Sequence, residues 1–299
     1  MYRVSTGQIY SANNKSISDY TVGLNRLNRK ISTGKEVDKV SDDPVIKQKI
    51  MREDKVLIRN SMYKKNTDDA RMQLQTAEVS LGKVSDILNS LKSLTLHMSN
   101  DTVNEEDREQ AREEVLQSME DMLDLANTSV NGFHIFAGHS VSQEPFEEDG
   151  TYNGDENVRE MEIAPGTKVP VAFTGNEVFT GMSGGTPEGV DIFQTCIDLA
   201  EDLLNNDGES IQERLEDIDS SIEQVNTART DAGMRLRKVE MTASFLNNAE
   251  TEHTIYKSDM EDIDIAKTAI EFESMKASLQ ASMSVTAKVF EVSLLNYMR

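Results

Sequence analysis

Apolar residues recur along most of the chain at alternating intervals of three and four positions, which is the spacing of one face of an α-helix. The first such run ends just before Gly34, and glycine suits the position that follows a helix. Asp43 and Pro44 then form a typical helix start, with Asp43 as the N-cap and Pro44 as the first helical residue. The sequence therefore predicts two successive helices that are separated by a short connection.

Further runs predict long helices later in the chain. The run from Leu74 to Met98 breaks at Asn100–Asp101, a pair that can also cap the next helix. After a shorter helix that begins at Ile192, apolar residues keep heptad spacing from Ile211 to Leu246. The last helix changes to an eleven-residue repeat, which favours straight or slightly right-handed packing.

The middle of the chain has a different pattern. Ten of the sixteen glycines and four of the five prolines lie between Gly132 and Gly189. Short stretches such as FHIF, VREMEIA, VPVAF and NEVF are typical of strands, and Asn153–Gly154 is typical of a hairpin turn. We therefore expect a small β-rich domain at residues 131–190.

Together these patterns predict a mainly α fold, in which the N- and C-terminal parts form a long antiparallel helical coiled-coil bundle around a small β-rich insertion. Three domains are expected. A terminal helical assembly domain combines residues 1–43 with 256–299, and a helical-bundle domain combines 44–130 with 191–255. The third is the β-rich domain inserted at 131–190.

Charge is distributed unevenly along the chain. The formal net charge is −22, which argues against nucleic acid and against an anionic membrane surface as partners. Residues 1–32 nevertheless carry net +4, and residues 264–299 carry equal numbers of both signs. Amphipathic ends on an acidic body suggest that the ends are buried in a larger assembly. The N-terminus lacks the apolar core of a cleaved secretory signal.

Motifs for chemistry are weak. We expect no catalytic site, no metal site and no cofactor, because the sequence lacks the usual phosphate-loop, nucleophile-elbow and zinc motifs. Cys196 lies on an apolar helix face and is expected to be a small buried side chain. The segment from Asp149 to Glu160 is similar to a calcium loop of the EF-hand type, but its flanks favour a β-hairpin turn instead.

Two end segments resemble the flagellin family. ISTGKEVDKVSDDPV, at residues 31–45, is similar to its N-terminal signature, and residues 261–298 are similar to its C-terminal helix. NGFHIFAGHSVSQEPF and the segment from TYNGD to NEVF resemble the insertion of one branch of that family, whose members join hook to filament. The opening MYRVSTGQIY is also similar to that branch.

This resemblance implies a structural subunit of the bacterial flagellum, located outside the cell and exported unfolded by the flagellar type III apparatus. Its implied partners are further copies of itself in a ring, the other hook-associated junction protein, flagellin, and an export chaperone at the C-terminal helix. No nucleic-acid or membrane partner is expected, and no enzyme activity. The alternatives are filament flagellin itself and a calcium-binding helical adhesin.

The terminal helices are the expected assembly interface. Free in solution they cannot bury their apolar stripes, so we expect them to order only when neighbouring subunits cover them. The residues expected to form this interface are Ile17, Tyr20, Leu24, Leu27, Ile31, Leu279, Met283, Phe290, Leu294 and Tyr297.

Overall fold

The computed structural model describes residues 6–100, 103–140 and 143–297. Within these ranges the chain forms seven α-helices and three antiparallel pairs of short strands, which confirms the mainly α fold with a small β-rich middle. The helices are α1 (Thr6–Thr33), α2 (Pro44–Met98), α3 (Glu105–Ala126), α4 (Gly175–Phe179), α5 (Ile192–Leu204), α6 (Gly208–Glu261) and α7 (Ile265–Tyr297). The strands are β1 (Ser129–Val130), β2 (Phe133–His134), β3 (Glu160–Ala164), β4 (Thr167–Pro170), β5 (Met182–Ser183) and β6 (Thr186–Pro187).

The predicted boundary between the first two helices is confirmed. Helix α1 ends at Thr33, and Gly34 has the left-handed φ of 69° that glycine adopts without strain. Helix α2 begins at Pro44, where a missing N–H removes no intrahelical hydrogen bond. The Asp43 carboxylate accepts hydrogen bonds at 2.9 Å from the amides of Val45 and Ile46, as an N-cap should.

The next boundary differs from the prediction in one respect. Helix α2 does end at Met98, but the residue that caps α3 is Asn104 rather than the Asn100–Asp101 pair. The Asn104 side chain accepts a hydrogen bond of 2.8 Å from the amide of Asp107. Three acidic residues in the first turn of α3 complement the positive end of its dipole, so this helix start is stabilised twice.

The chain divides into two compact units. One combines residues 1–58 with 250–299, and the other contains residues 59–249. The three-domain division expected from the sequence stays a prediction. None of the helices in the described part of the chain is long and apolar enough to cross a membrane.

The core of the second unit follows the heptads. On α2, the seven residues that the spacing assigns to one face are all buried: Leu74, Leu81, Val84, Leu88, Leu91, Thr95 and Met98. On α6, every seventh residue of the predicted run is buried: Ile211, Ile218, Val225, Ala232, Val239 and Leu246. Helix α3 packs against α5. Long helices thus form this core with few aromatic side chains.

The inserted segment departs from the predicted strands at two places. NEVF forms most of helix α4, not a strand, because Phe179 packs into an aromatic cluster with Phe136 and Phe146. The turn that joins the longest strand pair is Pro165–Gly166 between β3 and β4, with Gly166 at a φ of 68°, rather than Asn153–Gly154. Proline followed by a left-handed glycine is the pattern of a type II turn.

Candidate assembly interface

Helices α1 and α7 pack against each other in the first unit. At Gly23 the two helices are in contact: an added Cβ atom would overlap the sulfur of Met275 and lie 3.0 Å from its Cε. The absence of a Cβ at Gly23 therefore leaves room for the end of the Met275 side chain. The predicted pairing of the first and last helices is therefore present in the described residues.

The predicted interface residues lie along this pair of helices, which we call the α1–α7 hairpin. Most of their side chains are only partly buried. Leu27 is buried, at 8% exposure, whereas Ile17, Tyr20, Leu24 and Leu279 are half-buried. Ile31 is 37% exposed and Met283 is 46% exposed. The side chains of Phe290, Leu294 and Tyr297 lie outside the described part of the chain.

The heptad pattern missed several apolar side chains that are more exposed than the predicted ones. Val22 on α1 is 67% exposed, and Ile265, Ile270 and Val285 on α7 are 66%, 72% and 52% exposed. These residues lie beside the regular spacing and not on it. A search for large apolar residues outside the heptad positions would have found them. The hairpin thus carries an apolar surface that its own chain leaves open to solvent.

A short two-stranded contact joins the two ends of the chain at the base of the hairpin. The amide of Glu36 donates to the Glu261 carbonyl at 2.7 Å, and the amide of Ile263 donates to the Gly34 carbonyl at 3.0 Å. Val37, in the same segment, is buried. The segment that carries the N-terminal family signature therefore holds α1 beside the connection from α6 to α7.

Sequence reasoning did not single out Glu261, which lies at the centre of this contact. Its carboxylate is buried at 5% exposure and accepts a hydrogen bond of 2.7 Å from the Nζ of Lys35. The Nζ atoms of Lys47 and Lys257 lie 3.7 and 3.6 Å from the same carboxylate. The hydrogen bond to Glu261 raises the pKa of Lys35, because it favours the charged amine.

Replacing Glu261 with Gln should destabilise the base of the hairpin by about 1.5 kcal/mol, the lower end for charged hydrogen bonds, because the lysines are partly solvated. Because the pKa of Lys35 is raised in the folded state, the stability that the Lys35–Glu261 pair adds is fully present below the ordinary lysine pKa of 10.5. This stability is lost as the pH rises through the raised pKa. Urea unfolding of both proteins at neutral and alkaline pH would measure this. Glu273→Gln, which removes an exposed pair with Lys276, is the control, and an equal effect of both changes would contradict the prediction.

Replacing Gly23 with Ala should stabilise the α1–α7 hairpin by up to about 1 kcal/mol, because the added Cβ meets only the end of the flexible Met275 side chain, which can rotate away, while alanine has the higher helix propensity. Hydrogen exchange of the α1 amides would report the gain as slower exchange. Gly233→Ala on α6 is the matched control, since nothing lies within 4 Å of its added Cβ, and it should stabilise its helix. Faster exchange in Gly23→Ala that is restored by adding Met275→Ala would contradict this prediction, because it would show that Met275 cannot move away.

The residues that were considered for chemistry have structural roles. Cys196 is buried, and desolvation raises the pKa of its thiol to about 12, so it does not act as a nucleophile at neutral pH. In the Asp149–Glu160 segment, the Asp149 carboxylate accepts the Thr151 amide at 2.9 Å, and Asp155 accepts the Asn157 amide at 3.0 Å. Within the described residues, no three acidic, histidine or cysteine side chains are grouped to hold a metal ion.

Comparison with known proteins identifies the family. Residues 4–140 match the bacterial flagellin N-terminal helical region, and residues 215–298 match the bacterial flagellin C-terminal helical region. The chain belongs to the flagellin family. The two matched regions contain both helices of the α1–α7 hairpin.

Relatives within this family span nearly the whole chain. Flagellar hook-associated protein 3 of Escherichia coli is 23% identical over 311 residues, which cover 98% of this chain and 98% of the relative. Flagellin of Halalkalibacterium halodurans is 24% identical, covering 87% of this chain and 85% of that protein. The structure of Bacillus cereus FlgL has the same fold, with a TM-score of 0.60, 22% identity and coverage of 69% of this chain and 98% of that one. The chain is thus a structural protein of the bacterial flagellum, related to hook-associated proteins and not to enzymes.

Proposed function

We propose that this flagellin-family chain is a junction subunit that connects the flagellar hook to the filament and assembles through its α1–α7 hairpin. The observation that carries the proposal is the set of apolar side chains that the hairpin leaves exposed, among them Val22, Ile31, Ile270 and Met283. The similarity to hook-associated protein 3 over 98% of both chains supports a junction role over other flagellar roles.

Assembly is driven by covering this surface. Fully burying a large apolar side chain contributes about 1.5–3 kcal/mol. Several must be covered at once to outweigh the freedom that each subunit loses on association. We propose that copies of this chain form a ring in which each hairpin packs against the next. Phe290, Leu294 and Tyr297, near the C-terminal end of α7 in the sequence, are expected from the sequence pattern to belong to the same interface.

Export precedes assembly in this proposal. The chain passes through the flagellar type III apparatus unfolded, while an export chaperone covers the C-terminal helix. A largely uncovered hairpin suits this order, because its helices gain most of their stability from neighbours that are met only outside the cell. The other junction protein on the hook side and flagellin on the filament side are the further partners.

Limited proteolysis of the purified monomer tests the ordering step. We expect cleavage first within residues 1–40 and 260–299, because few apolar side chains there are buried by the chain itself. The fragment of residues 59–249 is the internal control, since it contains the buried heptad core and should persist. Equal resistance of the ends and of this fragment would contradict ordering on assembly.

Electron microscopy with antibody labelling tests the junction role itself. A strain that lacks this chain should carry hooks without filaments, and in the complemented strain a gold-labelled antibody should bind one short zone between hook and filament. Filament flagellin is the alternative that the similarity to Halalkalibacterium flagellin supports. Labelling along the whole filament would favour that alternative and overturn the junction role.

A further inference from the structure

Helix α3 and the loop of residues 143–153 line a groove in the second unit, apart from the hairpin. Four apolar side chains lie along its floor. Leu116 is half-buried and stays partly open to a partner, whereas Met119, Leu123 and Phe146 are exposed by 8% or less. A groove with an apolar floor along a helix is a shape that accepts a second amphipathic segment.

The rim of this groove carries charge of one sign. No lysine or arginine is among the described residues that line the groove. None of the groove carboxylates forms an ion pair with a lysine or arginine in the described part of the chain. All six carboxylates are exposed, so they keep the groove strongly negative. These acidic residues are Glu120, Asp124, Glu144, Glu147, Glu148 and Asp149.

Hydrogen bonds within the chain fix the loop that lines the groove. The Asn127 amide donates to the Phe146 carbonyl at 3.0 Å, and its oxygen accepts the Phe146 amide at 3.0 Å. The Glu147 amide also donates to the Thr151 carbonyl at 3.0 Å, which closes the loop. A surface fixed in this way costs little ordering free energy when a partner binds.

The arrangement of the carboxylates favours a long ligand over a point charge. No three of them converge within the described residues as metal ligands would. Asp149 accepts the Thr151 amide, which lowers the pKa of its carboxyl group and keeps it ionised. Charges that are spread along both walls, with an apolar floor between them, match a helix or strand with basic flanks and an apolar stripe.

We propose that this groove binds a basic amphipathic segment of another protein, with lysine or arginine side chains on the rim and an apolar stripe on the floor. The net charge of +4 on residues 1–32 makes α1 a basic amphipathic segment in this chain, but α1 already packs against α7. The occupant is therefore a partner with its own basic segment. This proposal is independent of the junction role.

A titration with synthetic peptides tests it on the full-length protein. The probe is an amphipathic peptide of about 18 residues, five helical turns, with a leucine stripe flanked by lysines. One control peptide has glutamate in place of every lysine, and a second is residues 6–33 of this chain. The groove variant is Glu120→Lys with Asp124→Lys. The matched variant is Glu109→Lys with Glu113→Lys, which makes the same charge change at exposed positions of α3 outside the groove.

The lysine peptide should bind the native protein and the matched variant alike, and bind the groove variant at least about tenfold more weakly, a difference of 1.4 kcal/mol. The glutamate peptide should not bind. Equal weakening by both variants would show attraction to the acidic protein as a whole and overturn the proposal. Tighter binding of the residue 6–33 peptide would make a second copy the occupant and also overturn it. Circular dichroism of each variant shows whether the helices are intact.

Discussion

Ile270→Asp should abolish attachment of the filament while the free subunit stays folded. Ile270 is 72% exposed on α7, so the monomer buries little apolar area there that the change could remove. In the proposed assembly a neighbouring subunit covers the same position. Burying a polar group without a hydrogen-bond partner costs about 2–7 kcal/mol, so an unpaired carboxylate in this apolar interface should cost several kcal/mol. The effect is therefore large in the assembly and small in the subunit.

Two measurements separate these effects. Urea unfolding of purified Ile270→Asp should match the native protein within about 0.5 kcal/mol, as expected for an exposed site. In a strain that carries the variant, microscopy should show hooks without filaments. Ile270→Leu is the matched control and should support normal filaments, because it keeps the apolar volume. Normal filaments with Ile270→Asp would show that this face of α7 is not an assembly surface.

Periodicity in the sequence predicted the long helices well, because helices that pack lengthwise need apolar residues at positions that repeat along the whole helix. Along α2 and α6, the residues at every seventh position lie on one helix face and are buried, so many positions obey the same constraint. Leu74, Leu81 and Leu88 are buried as that spacing requires. The helix start at Pro44 was equally predictable, because its N-cap hydrogen bonds are formed within four residues.

Elements that depend on distant contacts were not predictable from local patterns. NEVF has strand-like composition, but Gly175 has room only for a hydrogen opposite Phe146, and tertiary packing turns the segment into a short helix. Glu261 gave no signal, because its partner Lys35 is 226 positions away and a glutamate near a helix end is common.

The assembly interface stays a prediction, but the placement of its residues shows what heptad spacing can identify. The heptads identified both terminal helices, and Leu27 lies in the seam as expected. Heptad spacing describes the contact between the two helices of one chain, however. Val22 and Ile270 are exposed beside that contact, which is why the heptad spacing did not include them.

Phe179→Ala should destabilise the second unit by about 3–5 kcal/mol, the largest stability change expected for any substitution considered for this chain. Phe179 is fully buried, and its ring centre lies 5.2 Å from that of Phe136, 5.3 Å from Phe146 and 5.7 Å from Phe193. Removing it leaves a cavity at the point where the inserted segment packs on α5. The surrounding rings cannot collapse into that cavity without losing their edge-to-face contacts.

Hydrogen exchange and urea unfolding would measure this loss, since exchange assigns it to the second unit. Phe245→Ala is the matched control, because Phe245 lies on α6 in the same unit but is 66% exposed, and it should change stability by at most about 0.5 kcal/mol. Phe179→Leu should recover part of the loss by refilling the cavity. If Phe179→Ala and Phe245→Ala cost the same, the aromatic cluster does not hold the insertion on the bundle. If protection is lost only at the amides of the insertion, the buried heptad core of α2 and α6 is stable without the insertion.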